Sequence, residues 1–195
     1  MRNKLLNWRL WSVAVCLSLF PGLVRGISPN EITQTPDEKQ GISIFEGRVK
    51  EYVKLRNRAR GKLPKLSKDS TPEQIQSYMV AFGKAVRATR ASAKRGEIFV
   101  PGVAEYIRTT LRDDFNSRDK VEWRKTILQA ETQGVPLRVN YPYPPSKEFT
   151  EMPAKLLLKL PQLPREVKYR FVGRNMLLVD SENNLIIDYM ADALP

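Results

Sequence analysis

The stretch Arg165-Glu-Val-Lys-Tyr-Arg-Phe-Val-Gly-Arg-Asn-Met-Leu-Leu-Val-Asp-Ser-Glu-Asn-Asn-Leu-Ile-Ile-Asp-Tyr189 decides the fold, because it reads as a three-stranded antiparallel meander. Val167, Tyr169 and Phe171 alternate with Lys168 and Arg170, the period-two pattern of a half-buried strand. Gly173-Arg174 follows as a two-residue type II′ turn, with glycine where φ must be positive. Pairing across that turn sets Phe171 opposite Met176 and Tyr169 opposite Leu178. Val167, Tyr169, Phe171, Met176 and Leu178 then share one face, which is the core face. Ser181 to Asn184 form the second connection. Loops of two and of four residues both fit it, and a one-residue slip exchanges the faces of Leu185, Ile186 and Ile187.

Three strands alone are marginal in water, so the sheet needs a second layer, and the preceding chain supplies helices. Phe45, Val49, Tyr52, Leu55 and Ala59 recur on one helical face. Thr71-Pro72-Glu73-Gln74 combines a capping-box pair with proline at the first helical position. It opens a helix whose apolar face runs through Ile75, Tyr78, Met79, Phe82, Val86 and Ala93. Val103, Tyr106, Ile107, Leu111 and Phe115 trace a third helix. Asn116-Ser117 caps a fourth, with Val121, Trp123, Ile127 and Leu128, which stops at Gly134. Val135 to Asn140 reads as an extended strand, Tyr141 to Pro145 as polyproline-like chain, and Met152 to Leu160 as a short helix opened by Pro153. Helices followed by strands imply an α+β fold: an N-terminal layer of about four helices on a small C-terminal antiparallel β-meander.

Met1 to Gly26 carries a basic start (Arg2, Lys4, Arg9), an apolar run from Leu10 to Phe20 and a break at Pro21-Gly22. This is the pattern of a secretory signal peptide, and the run is short of the roughly 20 residues that span a bilayer. The expectation is export to the periplasm or the medium, with no stable membrane span after cleavage. Arg25 beside the cleavage point leaves an uncleaved anchor as the alternative. Residues 27–41 are polar, contain two prolines and read as a flexible lead-in. Residues 42–195 then form one α+β domain, mainly helical over 42–134 and extended or β over 135–195.

The 195-residue chain has a net charge of +12. Four of its 33 basic residues, Arg2, Lys4, Arg9 and Arg25, lie in the signal segment, so 29 basic against 21 acidic residues leave +8 in the mature chain. An anionic envelope polymer or a protein is therefore a candidate partner, with nucleic acid disfavoured because no aromatic residues interleave with the helical basic run. The chain has no histidine, and its one cysteine, Cys16, falls in the signal segment. The usual general base, thiol nucleophiles and thiolate or imidazole metal sites are thereby excluded from the mature chain, and no cofactor or metal is expected. Carboxylate chemistry is the surviving catalytic route, with Glu97, Glu105, Asp113 and Asp114 as candidates for the acid pair of a hydrolase acting on an envelope polymer. The preferred expectation is a non-enzymatic binding or structural role. Two surfaces are candidates for it. Lys84, Arg87, Arg90 and Lys94 form a basic stripe suited to a polyanion. Lys168, Arg170, Leu177 and Val179, on the outer sheet face, suit a protein contact or simple burial beneath another part of the chain; a four-residue second loop adds Ile186 and Asp188 to that face.

The run Leu160-Pro161-Gln162-Leu163-Pro164, the motif Tyr169-Arg170-Phe171-Val172-Gly173-Arg174 and the run Asn184-Leu185-Ile186-Ile187-Asp188 resemble those of uncharacterised exported bacterial proteins. The resemblance extends to the Arg-rich helices and the break Gly96-Glu97-Ile98-Phe99. It implies export from a bacterial cell and no activity, ligand or site residue.

Overall fold

The computed structural model describes residues 34–116, 136–144, 146–147 and 150–194, all within one unit from Gln34 to Pro195. The expected signal segment, residues 27–33 of the expected lead-in and the expected fourth helix after Asn116 lie outside the described residues.

Three long helices come first: α1 (Pro36–Gly61), α2 (Pro72–Thr89) and α3 (Pro101–Asn116). Strand β1 (Thr150–Glu151), the one-turn helix α4 (Ala154–Leu157) behind Pro153, and strands β2 (Val167–Val172), β3 (Asn175–Asp180) and β4 (Ile186–Met190) follow. The strands form one antiparallel sheet in the order β1-β2-β3-β4, and the architecture is α+β.

Helices α1 and α2 open on the same chemistry. The Thr35 and Thr71 hydroxyls accept from the N–H groups of Glu38 and Gln74, whose side chains accept from the cap N–H groups in return. Residues 36–41, expected in the lead-in, are thus the first turns of α1. Their low apolar content misleads, since proline at the first position gives up an N–H that would be unpaired anyway, and Asp37 and Glu38 complement the positive end of the helix. Gly41 serves packing. A Cβ there would stand 2.5 Å from the Val103 nitrogen, and one on Gly102 would stand 2.6 Å from the Asp37 oxygen, so α1 and α3 touch backbone to backbone.

Phe171 pairs with Met176 and Tyr169 with Leu178, across a turn in which Gly173 has φ 57°. The second loop has four residues, closed by bonds from Asp180 N–H to the Leu185 oxygen (2.9 Å) and from Asn184 N–H to the Asp180 oxygen (3.1 Å). The ladder then slips from Val179↔Ile186 to Leu178↔Asp188, leaving Ile187 as the extra residue of a β-bulge. Strict alternation puts Asp188 beside Ile186 on the outer face; the bulge turns it inward to the helices while Ile186 stays outside.

The sheet is covered on both faces. Phe45, Val49 and Tyr52 of α1, Phe82 and Val86 of α2, and Val103, Ile107 and Leu111 of α3 meet Tyr169, Phe171, Met176 and Leu178 in the main core. Val172, Leu177, Val179 and Ile186 pack with Tyr143, Leu137 and Tyr189 in a second cluster on the other side. Residues 136–140 are not the expected strand, because Asn140 sits at φ 64° and breaks the extended run. The segment still flanks β4 through bonds from Asn140 N–H to the Ile186 oxygen (2.8 Å) and from Ile186 N–H to the Tyr141 oxygen (2.9 Å). Among the described residues no helix is long and apolar enough to cross a membrane.

Candidate functional site

Two fully buried carboxylates tie the sheet to the helices. Asp180, at the end of β3, accepts from the Tyr52 hydroxyl and from Arg56 Nε, both at 2.7 Å, and from the N–H groups of Glu182 and Asn183. Asp188, turned inward by the bulge, accepts from the N–H groups of Gly96 (2.9 Å), Ile98 (2.8 Å) and Phe99 (3.0 Å). Gly96 at φ 79° lets three amides of a four-residue segment converge on one carboxylate, an anion-holding nest filled by the protein's own side chain. Residues 96–99 are thereby in direct contact with β4.

Two buried arginines stand beside these carboxylates in different circumstances. Arg56, 2% exposed, binds Asp180 and Glu182 and lies over the Phe82 ring. Burial alone would depress its pKa, but bonds to Asp180 and then Glu182 raise it above the ordinary value. Arg90, 9% exposed, donates twice to the Ile187 carbonyl at 3.2 Å, lies over the Tyr52 ring and approaches half-exposed Glu97 at 3.7 Å. Here burial prevails and depresses the pKa, with Tyr52, Glu97 and Asp188 recovering only part. Arg90 is under-compensated where Arg56 is not.

Arg90 and Tyr52 floor an open cleft of about 620 Å³ between α1 and the segment 89–98. Arg48, Lys54 and Arg58 line it from α1, and Glu51 and Glu97 are its acidic members. Arg48 donates to the Glu97 carbonyl, holding the two walls together. Lys54 and Arg58 form no ion pair among the described residues, so the cleft carries a cationic excess at its rim as well as its floor.

A second hollow of about 490 Å³ lies at the end of α2, lined by Lys84, Arg87, Arg138, Asn140 and Tyr141, and among the described residues by no carboxylate. The Arg87 and Arg138 guanidiniums lie over the Tyr141 ring at 4.2 and 3.9 Å. The Asn140 amide donates to the Arg87 and Arg90 carbonyls at 3.0 and 2.9 Å, capping the end of α2 from outside.

The expected stripe Lys84, Arg87, Arg90 and Lys94 is accordingly divided. Helix α2 ends at Thr89, so Lys84 and Arg87 belong to the hollow, Arg90 to the cleft floor, and Lys94 is exposed beyond the helix. The candidate contact face is not a surface either. Leu177 and Val179 are 0% and 2% exposed within the second cluster, leaving Lys168 exposed and Arg170 paired with Glu151. Of the candidate carboxylates only Glu97 reaches the cleft. Glu105 and Asp113 are exposed on α3, and Asp114 is buried and bound by Lys159 at 3.0 Å. Arg56 and Asp180 beside the cleft, Arg48, Lys54 and Arg58 along it, and Arg138 and Tyr141 in the hollow are absent from the sequence candidates. No family model, curated protein or solved structure matches the chain.

Proposed function

We propose that this is an exported, non-enzymatic bacterial binding protein whose ligand is anionic and seats in the Arg90 cleft. The observation that carries the reading is the contrast between the two buried arginines: Arg56 binds two carboxylates within the fold, whereas Arg90 faces an open cleft and its one ion pair, with half-exposed Glu97, is long at 3.7 Å. A buried cation in that position is stabilised by an anion arriving from solvent. Arg48, Lys54 and Arg58 give the approaching ligand a favourable field. Binding is favoured over hydrolysis because three of the four candidate carboxylates lie outside the cleft, and of the two carboxylates that line it, Glu51 and Glu97, Glu97 is paired with Arg90 among four cations. Export rests on the amino-terminal sequence pattern and the resemblance given above.

Calorimetric titration with tripolyphosphate tests the cleft. Binding is expected at low salt, weakening steeply as salt rises and lost in the Lys54→Glu/Arg58→Glu double variant, whose substitutions lie on an exposed helical face. Absence of binding by the unaltered protein at low salt refutes the assignment.

A further inference from the structure

We infer that the anionic ligand is a linear polyanion, which leaves the Arg90 cleft across Ala93 and continues into the hollow formed by Lys84, Arg87 and Arg138. This extends the cleft reading and depends on it. Ala93 lines both concavities, so the two adjoin at a small apolar residue. Among the described residues the hollow gathers three cations and no lining carboxylate, and it holds two of their guanidiniums over a single ring. Cations drawn together repel one another, and an anion between them relieves that repulsion. Arg87 also keeps a buried Nε–H with no acceptor among the described residues.

The path crosses the C-terminal end of α2, where unpaired carbonyls place partial negative charge that would repel an anion. Asn140 lessens this obstacle by donating a further bond to the Arg87 and Arg90 carbonyls, which already accept from the Arg90 and Ala93 N–H groups. A single small anion needs only the cleft. A chain with a charge on every repeat uses both concavities, and its second contact becomes intramolecular once the first has formed.

The test compares tripolyphosphate with long-chain polyphosphate on the full protein. The long chain is expected to bind roughly a hundredfold tighter per phosphate, as linked contacts do. Its affinity should also fall more steeply with salt. Lys84→Glu with Arg138→Glu should return long-chain affinity to the tripolyphosphate level without altering tripolyphosphate binding; Lys84→Glu alone, on an exposed helical position, gives the same direction if the double variant folds poorly. Equal affinity per phosphate at both lengths, or long-chain affinity indifferent to Lys84→Glu, overturns the track and leaves the cleft standing. Failure of tripolyphosphate to bind at all overturns both.

Discussion

Asp180 is the acceptor for a phenol, a guanidinium and two backbone amides, and no solvent reaches it. Removing a carboxylate from such a place leaves a buried positive charge behind, which costs more than the ion pair itself contributes. Asp180→Ala is therefore expected to lower stability by about 3 to 5 kcal/mol in urea unfolding, while Arg56→Met/Asp180→Leu, which removes both charges, costs less than the single change. A double variant as unstable as the single one would refute this account. Arg56 was within reach of sequence reasoning. Phe45, Val49, Tyr52, Arg56 and Ala59 alternate spacings of four and three, and all five are buried. Taking apolar Leu55 as the fourth member of that face passes over the arginine. Its partner lies 124 residues away, and no local pattern reports such a pairing.

Helix starts and the two-residue hairpin were legible because their causes are local: a threonine cap, a proline at the first position, a glycine at positive φ. The start of α1 has these marks at Thr35-Pro36-Asp37-Glu38 and was hidden only by the polarity of its neighbours. The bulge at Ile187 was not legible, because it answers to the amides of residues 96–99 and not to anything within β4. The crossing of α1 and α3 is equally a matter of fit between distant segments. Gly41→Ala drives a methyl to 2.5 Å from the backbone of α3, and backbone cannot yield as a flexible side chain does. A loss of about 1 to 3 kcal/mol is expected, despite alanine's better helix propensity. Thermal unfolding checks it, and an unchanged or raised midpoint would show the helices free to separate.

Across the whole molecule, stability should depend on alkaline pH through two phenols in the main core. Burial, then the Asp180 charge, raises the Tyr52 pKa well above its ordinary value; burial foremost raises that of Tyr169, whose hydroxyl donates to the Pro161 carbonyl at 3.0 Å. Below about pH 10 both stay protonated whether the chain is folded or not, and their contribution is complete. Above it the unfolded chain releases those protons while the folded one retains them, so stability declines as pH rises until the folded phenols ionise in turn. The unfolding midpoint should fall with pH in this range, and less steeply in Tyr52→Phe and Tyr169→Phe. A midpoint indifferent to alkaline pH would contradict the burial of both groups.

The carboxylates that complete the helical layer come late in the chain. Asp180 follows Arg56 by 124 residues, and Asp188 follows the Gly96 amide by 92. At about 5 to 20 residues per second, a ribosome needs roughly 6 to 25 seconds to pass from one member of the Arg56–Asp180 pair to the other. Through that interval the Arg56 guanidinium and the 96–99 amides lack the carboxylates that hold them in the fold. If the chain is exported as proposed, the late arrival of these carboxylates leaves the helical layer without its counter-charges until the last hairpin is made, which suits a polypeptide threaded through a membrane pore before it folds.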